Sequence, residues 1–144
     1  MSNPITGKRI ILGITGSIAA YKAAILASKL TQAGAKVDCI LTESATQFVS
    51  PLTFQTVTGR KASLDHALWA SEGHVVHIGL ANVADLLLFA PVSAKTLAKL
   101  AHGIGDNLLC VTALAATCPL MLAPAMDAGM YAHPATHQHV QMLK

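Results

Sequence analysis

The stretch Arg9–Lys22, RIILGITGSIAAYK, sets an apolar run directly against a glycine turn, a hydroxyl and the start of a helical pattern. RIILGIT (Arg9–Thr15) has the length of a strand and no polar alternation, as expected when helices cover both faces. Helical spacing follows from about Ser17 to Ala33, where Ile18, Tyr21, Ile25 and Leu26 can share a face and Gly34 supplies a stop. A Gly-Ser hinge between a first strand and a helix amino terminus is where open α/β sheets take up anions. Gly16 lets the chain turn tightly, and Ser17 either offers its hydroxyl and amide to a phosphate or caps its own helix.

The same alternation recurs downstream. KVDCILT (Lys36–Thr42), DLLLFAP (Asp85–Pro91) and PLMLAPA (Pro119–Ala125) are expected as second, third and fourth strands, the last of them buried. Ser93–Ala101 and Asp106–Ala116 are expected as helices that each open on a capping residue. The pattern predicts an α/β fold with a doubly wound parallel sheet, a Rossmann-like sandwich forming one domain over residues 1–144, without repeats or linkers. Ligands of such sheets lie beyond the carboxyl ends of the strands, so TGS, LTESA, APVSAKT and APAMDAGMY are the informative loops. GITGS matches neither the dinucleotide fingerprint G-x-G-x-x-G nor a Walker A loop, which leaves a mononucleotide phosphate as the anion to expect.

Bulk composition narrows the class. A chain of 144 residues is one ordinary domain that buries roughly 70% of its unfolded surface. Hydrophobic residues make up 53% and aromatics only 4%, with a mean hydropathy of +0.51, so part of the aliphatic surplus is expected between subunits. The net charge of +3 comes from scattered residues without aromatic-basic interleaving, which argues against nucleic acid. Asn107–Met126 carries no charge over the length of a membrane span, but Pro119 and Pro124 would break a spanning helix. No apolar leader follows Met1, and Cys39, Cys110 and Cys118 are odd in number and lack C-x-x-C spacing. The expectation is a cytoplasmic protein with no membrane and no nucleic-acid partner, and without disulfides or a zinc knuckle.

Four stretches together carry a resemblance: GSIAAYK (Gly16–Lys22), HIGLANVADLLLFAPVSAKTLAKLAHGIGDNLL (His77–Leu109), APAMDAGMY (Ala123–Tyr131) and PATHQHVQML (Pro134–Leu143). In order and spacing they resemble the homo-oligomeric flavin-containing cysteine decarboxylases, nearest the phosphopantothenoylcysteine decarboxylase branch and its fused form in the bifunctional bacterial coenzyme A enzyme. The resemblance implies FMN, held at a subunit boundary of a homotrimer or of a dodecamer of trimers, with a fused or partner synthetase domain. Carried over by position, Gly16, Ser17, Ile18 and Ala19 would meet the cofactor after the first strand, and Thr42, Glu43 and Ser44 after the second. Ser93, Ala94, Lys95 and Thr96 match the family's P-x-S-A-N-T loop. Ala125 and Met126 would meet the cofactor, and Asp127 and Met130 the substrate, from the P-x-M-N-x-x-M-W loop. His77 matches the family's essential histidine and is expected in a loop before the third strand, where an imidazole can move a thiol proton near neutral pH. His74 is expected to be a solvated neighbour.

The implied chemistry is an FMN-dependent carboxy-lyase reaction. Hydride removal from the carbon bearing sulfur gives a thioaldehyde that accepts the electrons as carbon dioxide leaves, and returning the hydride converts 4'-phosphopantothenoylcysteine into 4'-phosphopantetheine. Alternatives are a peptidyl-cysteine decarboxylase, which leaves the enethiol unreduced, and a non-catalytic FMN-binding regulatory subunit.

Departures from the family pattern qualify this picture. Asp127 stands where the family has Asn, so it is protonated, turned to a donor, or marks a different substrate; Tyr131 replaces Trp. Lys95 replaces Asn, either adding a cation near the flavin phosphate or the pyrimidine carbonyl, or lying in solvent. Residues 1–144 are expected to lack the family's glycine-rich substrate flap with its Cys, so that they are either a fragment of a longer chain or a protein that binds flavin without completing the decarboxylase cycle. His133, His137 and His139 include an i, i+4 spacing for a metal, against which stands a surface helix beginning at Pro134; no metal is expected. Met121, Met126 and Met130 are expected to pack in the core or the flavin pocket.

Overall fold

The computed structural model describes residues 3–69 and 73–144, including their side chains except those of residues 73–77. β1 (Arg9–Ile14) lies at the centre of a five-stranded sheet with β2 (Lys36–Leu41), β3 (Ser63–Leu64), β4 (Leu86–Val92) and β5 (Leu120–Pro124) in the order β3-β2-β1-β4-β5. Every pairing is parallel, and Leu12 sits opposite Cys39 on one side and Leu88 on the other. The expected doubly wound sheet is therefore present, and all four expected strands occupy their places to within a residue or two.

Because side chains alternate across a strand, an unbroken apolar run feeds two cores at once. Leu12 and Ile14 pack with Val37, Leu41 and Phe54 against α1 (Ala20–Gln32) and α2 (Pro51–Thr58). Ile11, Ile40, Leu87 and Phe89 point the other way, onto α4 (Ala94–His102) and α5 (Leu108–Ala115) through Leu97, Leu108 and Leu109. Asp38 is the acid inside these strands, and it is buried between Arg9 Nε at 2.9 Å and Arg60 Nε at 2.7 Å. Gly34, the expected stop of α1, has a φ of 96°, a left-handed value that favours glycine.

Several expectations are corrected. The segment between β2 and β4 contains α2, the two-residue β3 and α3 (Gly73–Val83); β3 is too short to show any period. His77 lies within α3, so its backbone is helical and not a loop, while its side chain and that of His74 fall outside the described residues. α1 turns Ala20, Ala23 and Ala27 to the core and leaves Tyr21 and Ile25 outward, with Ile18 exposed in the turn before it, because small residues let the helix sit close on the sheet. β5 is not buried: it is an edge strand, and Met121 is 55% exposed. The charge-free run from Asn107 divides into α5, a turn and β5, and among the described residues no helix is long and apolar enough to cross a membrane. α6 (Ala128–Ala132) and α7 (Pro134–Leu143) close the chain, the latter starting at Pro134 as its sequence predicts.

Candidate functional site

Three loops converge at the carboxyl edge of the sheet. Thr15, fully buried, donates its hydroxyl to the Pro91 carbonyl at 2.8 Å and accepts the Ser93 N–H at 2.8 Å, which ties the turn after β1 to the loop after β4. The turn after β2 is drawn in as closely: a Cβ on Gly16 would stand 2.5 Å from Ser44 Cβ. That contact answers why a glycine stands there, since any side chain would push two loops apart. Thr42 accepts the Ala45 N–H at 3.2 Å, and Asp65 Oδ2 accepts the Glu43 N–H at 3.1 Å, so a short 3₁₀ turn, Asp65–Trp69, is fastened to the same edge. Ser93 caps α4 by accepting the Thr96 N–H at 3.2 Å.

These loops enclose a cavity of about 440 Å³, within the range of small-molecule sites. Of the residues expected at the site, Gly16, Thr42, Glu43, Ser44, Ser93, Ala94, Lys95, Thr96 and Met130 line it together. Others stand elsewhere. Ser17 Oγ accepts the Ala19 N–H at 3.2 Å, a local turn, and Ile18 is 76% exposed. Ala19 and Ala125 line a separate groove of about 360 Å³ with Leu26 and Pro91. Met126 packs against the core around Leu97, and Asp127 caps α6 through the Gly129 N–H at 2.9 Å. His133 uses Nδ1 to accept the Ala135 N–H at 3.1 Å, which makes it a cap of α7, and the His139 ring meets His102 edge-on.

Sequence reasoning missed six residues that line the cavity: Asp65, His66, Trp69, Lys99, Asp106 and Asn107. Asn107 and Asp106 had a signal, the capping pattern before α5, although the cap is Asn107, whose Oδ1 accepts the Cys110 N–H at 2.8 Å, and not Asp106. Asp65, His66 and Trp69 had none, since they belong to no periodic element. Asp106 is held below the usual carboxylate range by its hydrogen bonds from Lys99, at 2.8 and 2.9 Å. Asp65 is pushed upward by burial, against the pull of the Glu43 N–H and of Lys99; its Oδ1 is shielded and has no partner among the described residues. Burial pushes the Cys110 thiol up to about 11 and the Cys39 thiol up to about 12, which makes both poor nucleophiles at neutral pH.

Hydroxyls from Ser44, Ser93 and Thr96, two lysines and a glycine cradle suit a phosphorylated ligand, and the cavity's size suits a nucleotide. Comparison with known proteins points the same way. The chain is 45% identical over 139 residues to the coenzyme A biosynthesis bifunctional protein CoaBC of Bacillus subtilis, covering 96% of this chain and 34% of that one. It is 44% identical over 140 residues to the probable phosphopantothenoylcysteine decarboxylase of Streptococcus mutans, covering 95% and 78% respectively. The chain thus spans about a third of the bifunctional relative and most of the streptococcal one. The structure of the FMN-dependent cysteine decarboxylase SpaF superposes with a TM-score of 0.87 at 33% identity, over 96% of this chain and 80% of that one. The family profile described as Flavoprotein matches residues 1–144, and the chain belongs to the Flavoprotein family.

Proposed function

We propose that the protein binds FMN in the 440 Å³ cavity and decarboxylates 4'-phosphopantothenoylcysteine to 4'-phosphopantetheine in coenzyme A biosynthesis. The observation that carries this reading is the 44% identity to a probable phosphopantothenoylcysteine decarboxylase of which the chain covers 78%, joined to a cavity whose hydroxyls and lysines fit a flavin phosphate. Bound flavin supplies a hydride acceptor, the electron sink that a cysteine-type carboxylate lacks.

The chain's own residues hold and orient. Ser44 and Thr96 offer hydroxyls to the phosphate end, and Gly16 keeps the two loops close enough to share it. Ser17, Ile18, Ala19, Ala125 and Met126 lie outside the cavity wall and complete the cofactor site from a neighbouring subunit's side in the proposed trimer. The exposed Ile18, the outward Tyr21 and Ile25 of α1, and the exposed Leu120 and Met121 of β5 give such an assembly apolar surface to bury. His77 takes the substrate thiol proton. Met130 packs against the substrate, and Asp127 faces its carboxylate side with Oδ2 already committed to Gly129. Residues 1–144 act as one flavin-binding domain, whose partner is a synthetase domain or subunit.

One experiment tests the reading. The purified protein is expected to be yellow, to release FMN on denaturation and to scatter light as a trimer. His77→Asn is expected to keep the flavin but slow its reduction by substrate on the order of 10²–10⁴-fold, the usual contribution of a positioned acid or base. His74→Asn is expected to change that rate little. A colourless protein that takes up no FMN, or equal losses in both variants, would overturn the assignment.

A further inference from the structure

The cavity holds two lysines in unlike circumstances. Lys99 directs Nζ at both oxygens of Asp106, at 2.8 and 2.9 Å, and only 15% of its side chain remains exposed. Its charge is matched by that carboxylate, which is itself 54% exposed. Lys95 lies one helical turn earlier on α4, lines the same cavity and is exposed. Among the described residues no carboxylate stands within ion-pair distance of its ammonium.

The rest of the wall gives an anion little else. Glu43, Asp65 and Asp106 all line the cavity, so its carboxylates outnumber its two lysines. Ser93 Oγ is already engaged by the Thr96 N–H and lies 3.2 Å from the Thr96 hydroxyl. Hydroxyls satisfy phosphate oxygens but do not compensate their charge, and a phosphate monoester carries about −1.5 to −2 at pH 7. A phosphate placed between Ser44 and α4 therefore needs a cation that is not yet spent; besides the imidazole of His66, Lys95 is the remaining basic side chain that the described wall provides, and it stands on α4 itself.

We propose that Lys95 selects a phosphorylated flavin over the unphosphorylated one, its ammonium pairing with the phosphate while the hydroxyls and the rest of the cavity bind what the two flavins share. This rests on the FMN reading above and adds to it a residue that sets specificity by charge. Lys95 is exposed on a helix surface, so replacing it leaves the core untouched.

The test is a titration of flavin-free protein with FMN and, separately, with riboflavin, followed by quenching of Trp69, the single tryptophan and itself part of the cavity wall. Lys95→Gln is expected to weaken FMN about 10- to 100-fold, the worth of a hydrogen-bonded charge pair, and to leave riboflavin affinity unchanged. Lys95→Arg is expected to retain the preference for FMN, since it keeps the charge. Added salt is expected to weaken FMN binding to the unaltered protein more than to Lys95→Gln. If Lys95→Gln binds FMN as tightly as the unaltered protein, or loses both flavins equally, the assignment to Lys95 falls and FMN binding stands. If the unaltered protein binds neither flavin, the FMN reading falls and the role of Lys95 with it.

Discussion

β1 and β5 are written in the same vocabulary, RIILGI and LMLAP, and meet opposite fates. Every residue of β1 after Arg9 is buried, with Leu12 at 0% exposure between β2 and β4, whereas most of β5 is exposed and Met121 stands 55% open. An apolar run records that a strand is to be covered; it does not record by what. β1 finds its cover inside the chain, in α1 on one face and α5 on the other. β5 has Leu122 packed toward the core around Leu97, and its remaining apolar surface lies open as material for association.

The comparison is broken or kept most sharply by truncation. Leu12→Ala is expected to cost about 2–5 kcal/mol in urea unfolding, because it leaves a cavity where two strands and a helix meet. Met121→Ala is expected to stay within about 0.5 kcal/mol in the dissociated monomer, where Met121 is an ordinary surface position, and to weaken the proposed trimer instead. A Met121→Ala loss as large as that of Leu12→Ala would mean that the outer face of β5 is covered in solution as firmly as the centre.

The next effect concerns the loops that the centre carries. Gly16→Ala is expected to cost about 1–3 kcal/mol by overpacking against Ser44, and to weaken FMN binding by spreading the two loops. Gly79 is the control: it lies in α3 with nothing within 4 Å of an added Cβ, so Gly79→Ala is expected to stabilise the protein by roughly 0.5–1 kcal/mol. Thermal melts of both variants, with and without FMN, separate the two.

A pH dependence again divides centre from margin, absent near neutral pH and growing only in alkali. The buried Cys39 thiol in β2 is raised from 9.0 to about 12, chiefly by burial and then by the neighbouring Asp38 charge. A folded pKa above the unfolded one favours folding in full below pH 9, and that contribution disappears as pH rises toward 12. Stability is expected to fall by about 1.4 kcal/mol per pH unit from this group above pH 9, and Cys39→Ala is expected to flatten that decline in alkaline unfolding curves. Cys118, half-buried just before β5, is expected to be alkylated in the folded protein well before Cys39.

Much of this was legible without coordinates. RIILGIT, KVDCILT, DLLLFAP and PLMLAPA named four of five strands, because a parallel strand covered on both faces leaves a continuous apolar run. β3 escaped because two residues carry no period, and α2 and α3 escaped because Thr in the one and Gly and His in the other dilute their pattern. At the site, the loops Thr42–Ser44 and Ser93–Thr96 followed from topology alone, since open sheets bind beyond their carboxyl ends. Asp65, His66 and Trp69 did not, for their turn is brought to the cavity by tertiary contacts, the hydrogen bond from the Glu43 N–H to Asp65 and the packing of Ala67 and Leu68 on the core.

By itself, then, the sequence determined the parallel sheet, four of its strands and the edge at which ligands bind, because hydrophobic period and strand-helix order are local properties of the chain. Tertiary structure alone decided that alanines and not Tyr21 or Ile25 would face the core from α1. It also decided that Lys99 would be spent on Asp106 while Lys95 stayed free of any described carboxylate. Those outcomes depend on which surfaces and charges arrive at the same place. Residues as far apart as Gly16, Ser44, Asp65 and Lys95 acquire a common electrostatic environment only when the sheet has brought their loops within a few ångströms of one another.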